Sequence, residues 1–341
     1  MRLAFGVAGN PSDNFQEMVD FAARVERLGY QNIWFPDERF YRDVYVSMTA
    51  CAEKTNSIRL GTAVTDPYFR HPAVTASALA SLAELSRGRC ALGIGAGYSG
   101  FTELNLERRS PANALREAIG LIRGLLGGEE VNFDGTIFHA KKAKLTFSPI
   151  HKVPIYVAGR GPQILALGGE LGDGTIVGGL ASNEGLRYAF EQIRRGTERA
   201  RRDISDLDIV SWVYCAIADD GDKARELVKP IIMFLVASSE KILPSIGIEK
   251  EAGEAILSVM REGHYSYESE ELQRLSSKLV SDDLAAKFSI AGTVDDCREK
   301  VHQLFQLGVK QIAILPYPES GKERTRVVER FAKEVAKDFL S

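Results

Sequence analysis

Three carboxylates stand where short loops leave apolar, strand-like runs. Asp37 and Glu38 lie in Pro36-Asp37-Glu38-Arg39, after Asn32–Phe35, and Asp66 lies in Thr65-Asp66-Pro67-Tyr68, after Ile58–Val64. Carboxylates so placed can orient a substrate or carry a proton. Loop charges can equally be no more than solvated, with Glu38 pairing to Arg39 or Arg42. A second chemistry is suggested by Ala158-Gly159-Arg160-Gly161-Pro162, which follows Ile155–Val157. Pro162 suits the first position of a helix, and free amides at a helix start attract phosphate. Arg160 would add a charged donor. The pair Gly178-Gly179 follows the next strand-like run. A plain turn with a surface arginine accounts for the same residues.

Gly95-Ala96-Gly97-Tyr98-Ser99-Gly100 contains a literal G-x-G-x-x-G. A dinucleotide turn would open directly into its helix. Here the polar stretch Phe101–Ser110 intervenes, so close backbone approach to some other ligand is the better reading. The histidines His71, His139, His151, His264 and His302 have no metal-ligand spacing, and no metal site is expected. Neither a hydrolase elbow nor a Walker loop is present. A net charge of −3 gives no electrostatic reason to expect nucleic acid or an anionic membrane as partner. Cys51, Cys90, Cys215 and Cys297 are far apart and form no C-x-x-C, which fits free thiols in a reducing cytosol. No apolar run reaches the roughly 18 residues of a membrane span. The start MRLAFGVAG runs into a strand-like segment without a signal-peptide pattern, so a cytoplasmic location is expected.

The elements that must position these loops alternate in period. Strand-like runs at Leu3–Val7, Asn32–Phe35, Ile58–Val64, Cys90–Gly95, Ile155–Val157, Gly174–Val177, Ile209–Ile217 and Gln311–Leu315 are separated by helical patterns. Buried strands, each followed by a helix, imply parallel pairing with helical crossovers. The expected fold is a single (β/α)8 TIM barrel over residues 1–341, with a doubly wound open sheet as the alternative. Insertions are expected at about 127–150, where Asp134-Gly135 signals a hairpin, and at 245–279, a charged, turn-rich stretch. In a barrel, chemistry collects at the C-terminal ends of the strands, where all the loops above lie.

Leu60-Gly61-Thr62-Ala63-Val64-Thr65-Asp66-Pro67-Tyr68, Leu85-Ser86-Arg87-Gly88-Arg89, Leu92-Gly93-Ile94-Gly95-Ala96-Gly97 and Pro154-Ile155-Tyr156 through Gly161-Pro162 resemble the bacterial luciferase-like superfamily. Within it the chain is most similar to the deazaflavin-dependent methylenetetrahydromethanopterin reductase group. The resemblance implies a flavin-type ring at the barrel mouth, a non-prolyl cis peptide at Ala63-Val64, and the cofactor phosphate at the Gly159–Gly161 loop. The cofactor contacts it implies are Ala63, Val64, Thr65, Gly95, Ala96, Gly97, Ala158, Gly159, Arg160, Gly161, Gly178 and Gly179. Asp37, Glu38 and Asp66 are the candidate catalytic residues. The sequence departs from the group in two places: Gly6 stands where the reductases carry a glutamate, and Glu38 stands where many relatives carry histidine. The leading expectation is hydride transfer between reduced coenzyme F420 and a small organic acceptor, such as a methylenetetrahydromethanopterin-like carbon–nitrogen double bond. An FMN-dependent monooxygenase fed by a partner flavin reductase is the second reading, and a non-catalytic flavin-binding protein the third. The usual family form is a homodimer or higher homo-oligomer.

Overall fold

A computed structural model describes residues 3–97, 99–263, 265–266, 269–318 and 321–340. Tyr98 and His264, noted above, lie outside them. The chain opens with β1 (Ala4–Ala8), α1 (Phe15–Arg27), β2 (Asn32–Phe35), α2 (Val44–Lys54), β3 (Arg59–Thr62), α3 (Pro72–Leu85), β4 (Cys90–Ile94) and α4 (Pro111–Leu126). A hairpin of β5 (Val131–Asp134) and β6 (His139–Ala143) follows. The alternation resumes with β7 (Ile155–Gly159), α5 (Pro162–Leu171), β8 (Gly174–Gly178), α6 (Asn183–Ala200), β9 (Asp208–Ile217) and α7 (Gly221–Ala237). Then come α8 (Lys250–Glu262), α9 (Glu270–Leu279), α10 (Asp282–Ala286), β10 (Ser289–Gly292), α11 (Val294–Gln306), β11 (Gln311–Pro316), α12 (Gly321–Arg330) and α13 (Lys337–Leu340).

The sheet runs β1-β2-β3-β4-β7-β8-β9-β11 and closes through β11 onto β1, every pairing parallel. This is the expected TIM barrel, not the open sheet. The antiparallel hairpin falls inside the expected 127–150 insertion. The 245–279 stretch is less irregular than its turn-rich composition suggested, since it carries α8 and α9. β10 was not foreseen. It pairs with Tyr214–Ile217 of β9, just beyond the point where β8 stops at Gly178↔Trp212.

Local chemistry explains the helix starts. Asn14 and Glu17 form a reciprocal capping box on α1, and the Asp43 carboxylate caps α2 through the Tyr45 and Val46 amides. Pro72, Pro111 and Pro162 open α3, α4 and α5, where a missing N–H costs nothing. The main core lies between strands and helices. A smaller one, Trp34, Ala91, Tyr156, Ile176, Val210 and Ala313, fills the barrel interior. Trp34 is its plug. A Cβ on Gly61 would sit 2.4 Å from the indole Cζ3, and one on Gly6 would sit 2.9 Å from Nε1. The indole N–H instead donates to Gln311 Oε1 at 2.8 Å. Position 6 therefore has no room for a carboxylate, which gives the departure at Gly6 a steric reason.

Candidate active site at the barrel mouth

A cavity of about 580 Å³ opens at the C-terminal ends of the strands. Its wall includes Ala63, Glu38, Ser99, Trp212, Tyr214 and Arg324. Trp212 and Tyr214 alternate with buried Ser211 and Val213 on β9, so they share the inward face with Val210. That period of two was available in the sequence. Arg324 reaches the wall from α12; it pairs with Asp13 at 2.5 Å and stacks over Phe21 at 3.7 Å.

The three acidic candidates separate. Glu38 lines the cavity, and its carboxylate accepts a hydrogen bond from the Ser99 hydroxyl. It pairs with neither Arg39 nor Arg42; Arg42 donates to the Ser12 carbonyl at 3.2 Å. Asp37 and Asp66 are not among the cavity-lining residues. Both are tied to Arg39, whose Nη1 donates to Asp37 Oδ1 at 2.8 Å and whose Nη2 donates to Asp66 Oδ2. The Thr65 hydroxyl donates to Asp37 Oδ2 at 2.5 Å. Asp66 Oδ1 accepts the amides of Tyr68 at 2.8 Å and Phe69 at 3.2 Å. The Asp66 side chain is 3% exposed and that of Asp37 12%. Neither is a loosely solvated loop charge.

The β4 loop glycines are occupied by protein atoms. A Cβ on Gly95 would lie 2.8 Å from Val64 Cγ2, one on Gly97 would lie 3.0 Å from Asp66 Cγ, and one on Gly100 would lie 2.4 Å from Arg39 Cγ. Gly97 and Gly100 also have φ near +71° and +80°, a backbone region that favours glycine. The next helix starts only at Pro111, so no dinucleotide turn forms here. The Ala63–Val64 peptide is cis.

Across the mouth, Gly159, Arg160 and Gly161 lead into α5. Gly161 is its N-cap and supplies no side-chain acceptor, and a Cβ there would meet nothing within 4 Å. The α5 start therefore presents unpaired amides to open space. Arg160 runs beside the second glycine pair: a Cβ on Gly178 would lie 3.8 Å from its Cγ, and one on Gly179 would lie 3.8 Å from Nη1. Its Nη1 donates to the Ser239 hydroxyl at 3.3 Å. Burial lowers its pKa, and the nearby Tyr214 acts the other way. Among the described residues no carboxylate forms an ion pair with Arg160. A half-buried cation beside free helix amides is a site suited to an anion. Among the described residues no group of three or more His, Cys, Asp or Glu side chains is placed to hold a metal ion.

A parallel barrel with its polar groups gathered around one mouth is the architecture in which barrel enzymes place their chemistry, in the strand-end loops. The chain belongs to the luciferase-like monooxygenase family, whose model matches residues 3–311. It is 34% identical to a 5,10-methylenetetrahydromethanopterin reductase of Methanolobus tindarius, covering 98% of this chain and 99% of that protein. It is 27% identical to an F420-dependent glucose-6-phosphate dehydrogenase of Amycolatopsis mediterranei, covering 94% and 93%. Among solved structures, the coenzyme F420-dependent tetrahydromethanopterin reductase of Methanopyrus kandleri superposes with a TM-score of 0.86 at 26% identity, covering 99% of this chain and 100% of that one.

Proposed function

We propose that the protein is a coenzyme F420-dependent oxidoreductase acting on a small organic acceptor, with a methylene-pterin carbon–nitrogen double bond as the first candidate. The observation that carries this reading is the end-to-end similarity to a methylenetetrahydromethanopterin reductase. The likeness to a sugar-phosphate dehydrogenase leaves the reverse direction, hydride transfer from a donor such as a sugar phosphate to oxidised coenzyme F420, open for test. The residues present fit the coenzyme. An open helix start, a half-buried arginine with no carboxylate ion pair among the described residues, and two glycine pairs suit its phosphate. When bound, the deazaflavin supplies the carbon that gives or takes the hydride.

The chain does the rest. Gly159, Arg160 and Gly161, with Gly178 and Gly179, hold the phosphate. Ala63, Val64, Thr65, Gly95, Ala96, Gly97 and Ala158 back the ring. Glu38 holds the proton that accompanies hydride transfer, at a carboxylate steadied by Ser99. Asp37 orients the β2 loop. Asp66, with both oxygens engaged, anchors the β3 loop. Trp212 and Tyr214 narrow the mouth and exclude water. The working form is a homo-oligomer, and the location is the cytoplasm.

The test is a binding titration of the purified protein with coenzyme F420 and, separately, with FMN. Turnover of reduced coenzyme F420 with 5,10-methylenetetrahydromethanopterin as hydride acceptor, and of oxidised coenzyme F420 with glucose 6-phosphate as hydride donor, follows. Tight F420 binding and acceptor-dependent oxidation are expected. Preference for FMN with oxygen uptake would favour a monooxygenase. Binding without turnover of any acceptor would favour a non-catalytic protein.

A further inference from the structure

Arg39 lies at the junction of the loops that follow β2, β3 and β4. Its guanidinium bridges Asp37, two residues before it, and Asp66, 27 residues after it. Nη1 also donates to the Asp37 carbonyl at 3.1 Å. The guanidinium stacks over the Phe69 ring at 4.1 Å, and its stem runs against Gly100, where any side chain would collide with it. The Arg39 side chain is only 13% exposed. One planar cation thus clasps three strand-end loops, a task its fixed fork of donors suits and a lysine's point charge does not.

Glu38 stands between the two clasped residues. Asp37 and Arg39 turn into the protein, while Glu38 turns into the cavity and meets Ser99 of the β4 loop. Directly after Arg39 the chain swings outward, with Phe40 at φ +67° and 72% exposed. The direction of Glu38 follows from its clasped neighbours and its hydrogen bond to Ser99. We propose that Arg39 is a positioning residue: its bridge between Asp37 and Asp66 fixes the Glu38 carboxylate against Ser99 and hence in the cavity. This rests on the reading that Glu38 handles the proton.

The test compares Arg39→Lys, Glu38→Gln and the double variant. The readouts are the Kd for coenzyme F420, kcat and KM with 5,10-methylenetetrahydromethanopterin, and a crystal structure of Arg39→Lys. For Arg39→Lys we expect a coenzyme Kd within about two-fold of wild type and a kcat lowered about ten-fold or more. The double variant should then be no slower than Glu38→Gln within about two-fold, because one change acts through the other. The crystal structure should show Glu38 withdrawn from Ser99, whether or not this acceptor turns over. Asp66→Asn, which loosens the far end of the Arg39 bridge, should give a smaller loss, again absent on a Glu38→Gln background. It replaces Arg39→Lys if that variant does not fold. Losses that multiply in the double variant, or an unmoved Glu38–Ser99 hydrogen bond, would overturn the positioning role alone. Full turnover by Glu38→Gln would remove the proton role and this inference together.

Discussion

Among single residues, a carboxylate's surroundings decide what it can do. Glu117 of α4 is 7% exposed and receives the amides of Thr136 at 2.9 Å and of Ile137 and Phe138 at 3.0 Å, with the Thr136 hydroxyl at 2.7 Å. Burial alone would raise its pKa, but these donors together pull it down to about 2. It anchors the β5–β6 hairpin and has no catalytic part. A lowered folded pKa gives stability that is present above the unfolded value near ~4.3 and lost as pH falls through the folded value. We therefore expect wild-type stability to decline between about pH 5 and 2, with Glu117 among the carboxylates responsible. Glu117→Gln should be destabilised at pH 7 and show a flatter decline over that window in denaturant titrations. Arg160 is the opposite case, a half-buried cation with which no carboxylate among the described residues forms an ion pair. Arg160→Gln should weaken F420 binding about ten-fold or more while leaving the unfolding midpoint of the coenzyme-free protein unchanged or raised. Equal affinity of wild type and variant by fluorescence titration would move the phosphate site elsewhere.

The sequence exposed these residues unevenly. Asp37, Glu38 and Asp66 were visible because each ends a strand-like run. Their division into one cavity-facing and two clasped groups was not, because Arg39 and Asp66 meet across 27 residues and one loop pattern does not specify its partner in another. Trp212, Tyr214 and Arg324 escaped notice for the same reason: only barrel closure brings β9 and α12 to the mouth.

Among the elements, the period of the apolar pattern foretold the barrel strands, and the misses were short or highly charged. Ser289–Gly292 is four residues long and has no alternation to detect. The helices α8 and α9 bury only narrow stripes, such as Gly253, Ile256 and Leu257 in α8, beneath many charges. The packing of α5 on α6 was equally hidden, because it depends on what glycine lacks. A Cβ on Gly196 would fall 1.8 Å from the Ala166 carbonyl oxygen, and one on Gly169 would fall 2.1 Å from that of Ile193. Each helix lies on the backbone of the other. Alanine usually favours a helix over glycine by about 1 kcal/mol, but backbone cannot yield as a flexible side chain can. Gly196→Ala should therefore cost at least about 2 kcal/mol. Gly120 of α4 is the control, since its Cβ would find only Phe133 at 3.8 Å. Gly120→Ala should be neutral or stabilising by up to about 1 kcal/mol. Equal effects in urea titrations would mean that the α5–α6 approach is looser than this geometry.

For the whole molecule, the closed ring of strands is what turns scattered loops into one site. β11 closes onto β1, and β9 joins β8 to β11, so Arg160 on one side of the mouth and Glu38 on the other belong to one cooperative structure. A ligand that engages both sides adds its binding energy to the folded state and nothing to the unfolded one. At a hundred times its Kd it should stabilise the fold by about 2.7 kcal/mol. Coenzyme F420 should produce this shift in denaturant midpoint with the wild-type protein. Arg160→Gln at the same coenzyme concentration should show a smaller one, because its weaker affinity lowers the ratio of concentration to Kd. FMN at equal concentration separates the two flavin chemistries: the proposed function requires a smaller shift with FMN than with F420. A larger shift with FMN would mean that the mouth is built for the other cofactor, and the reductase reading would give way to the monooxygenase one.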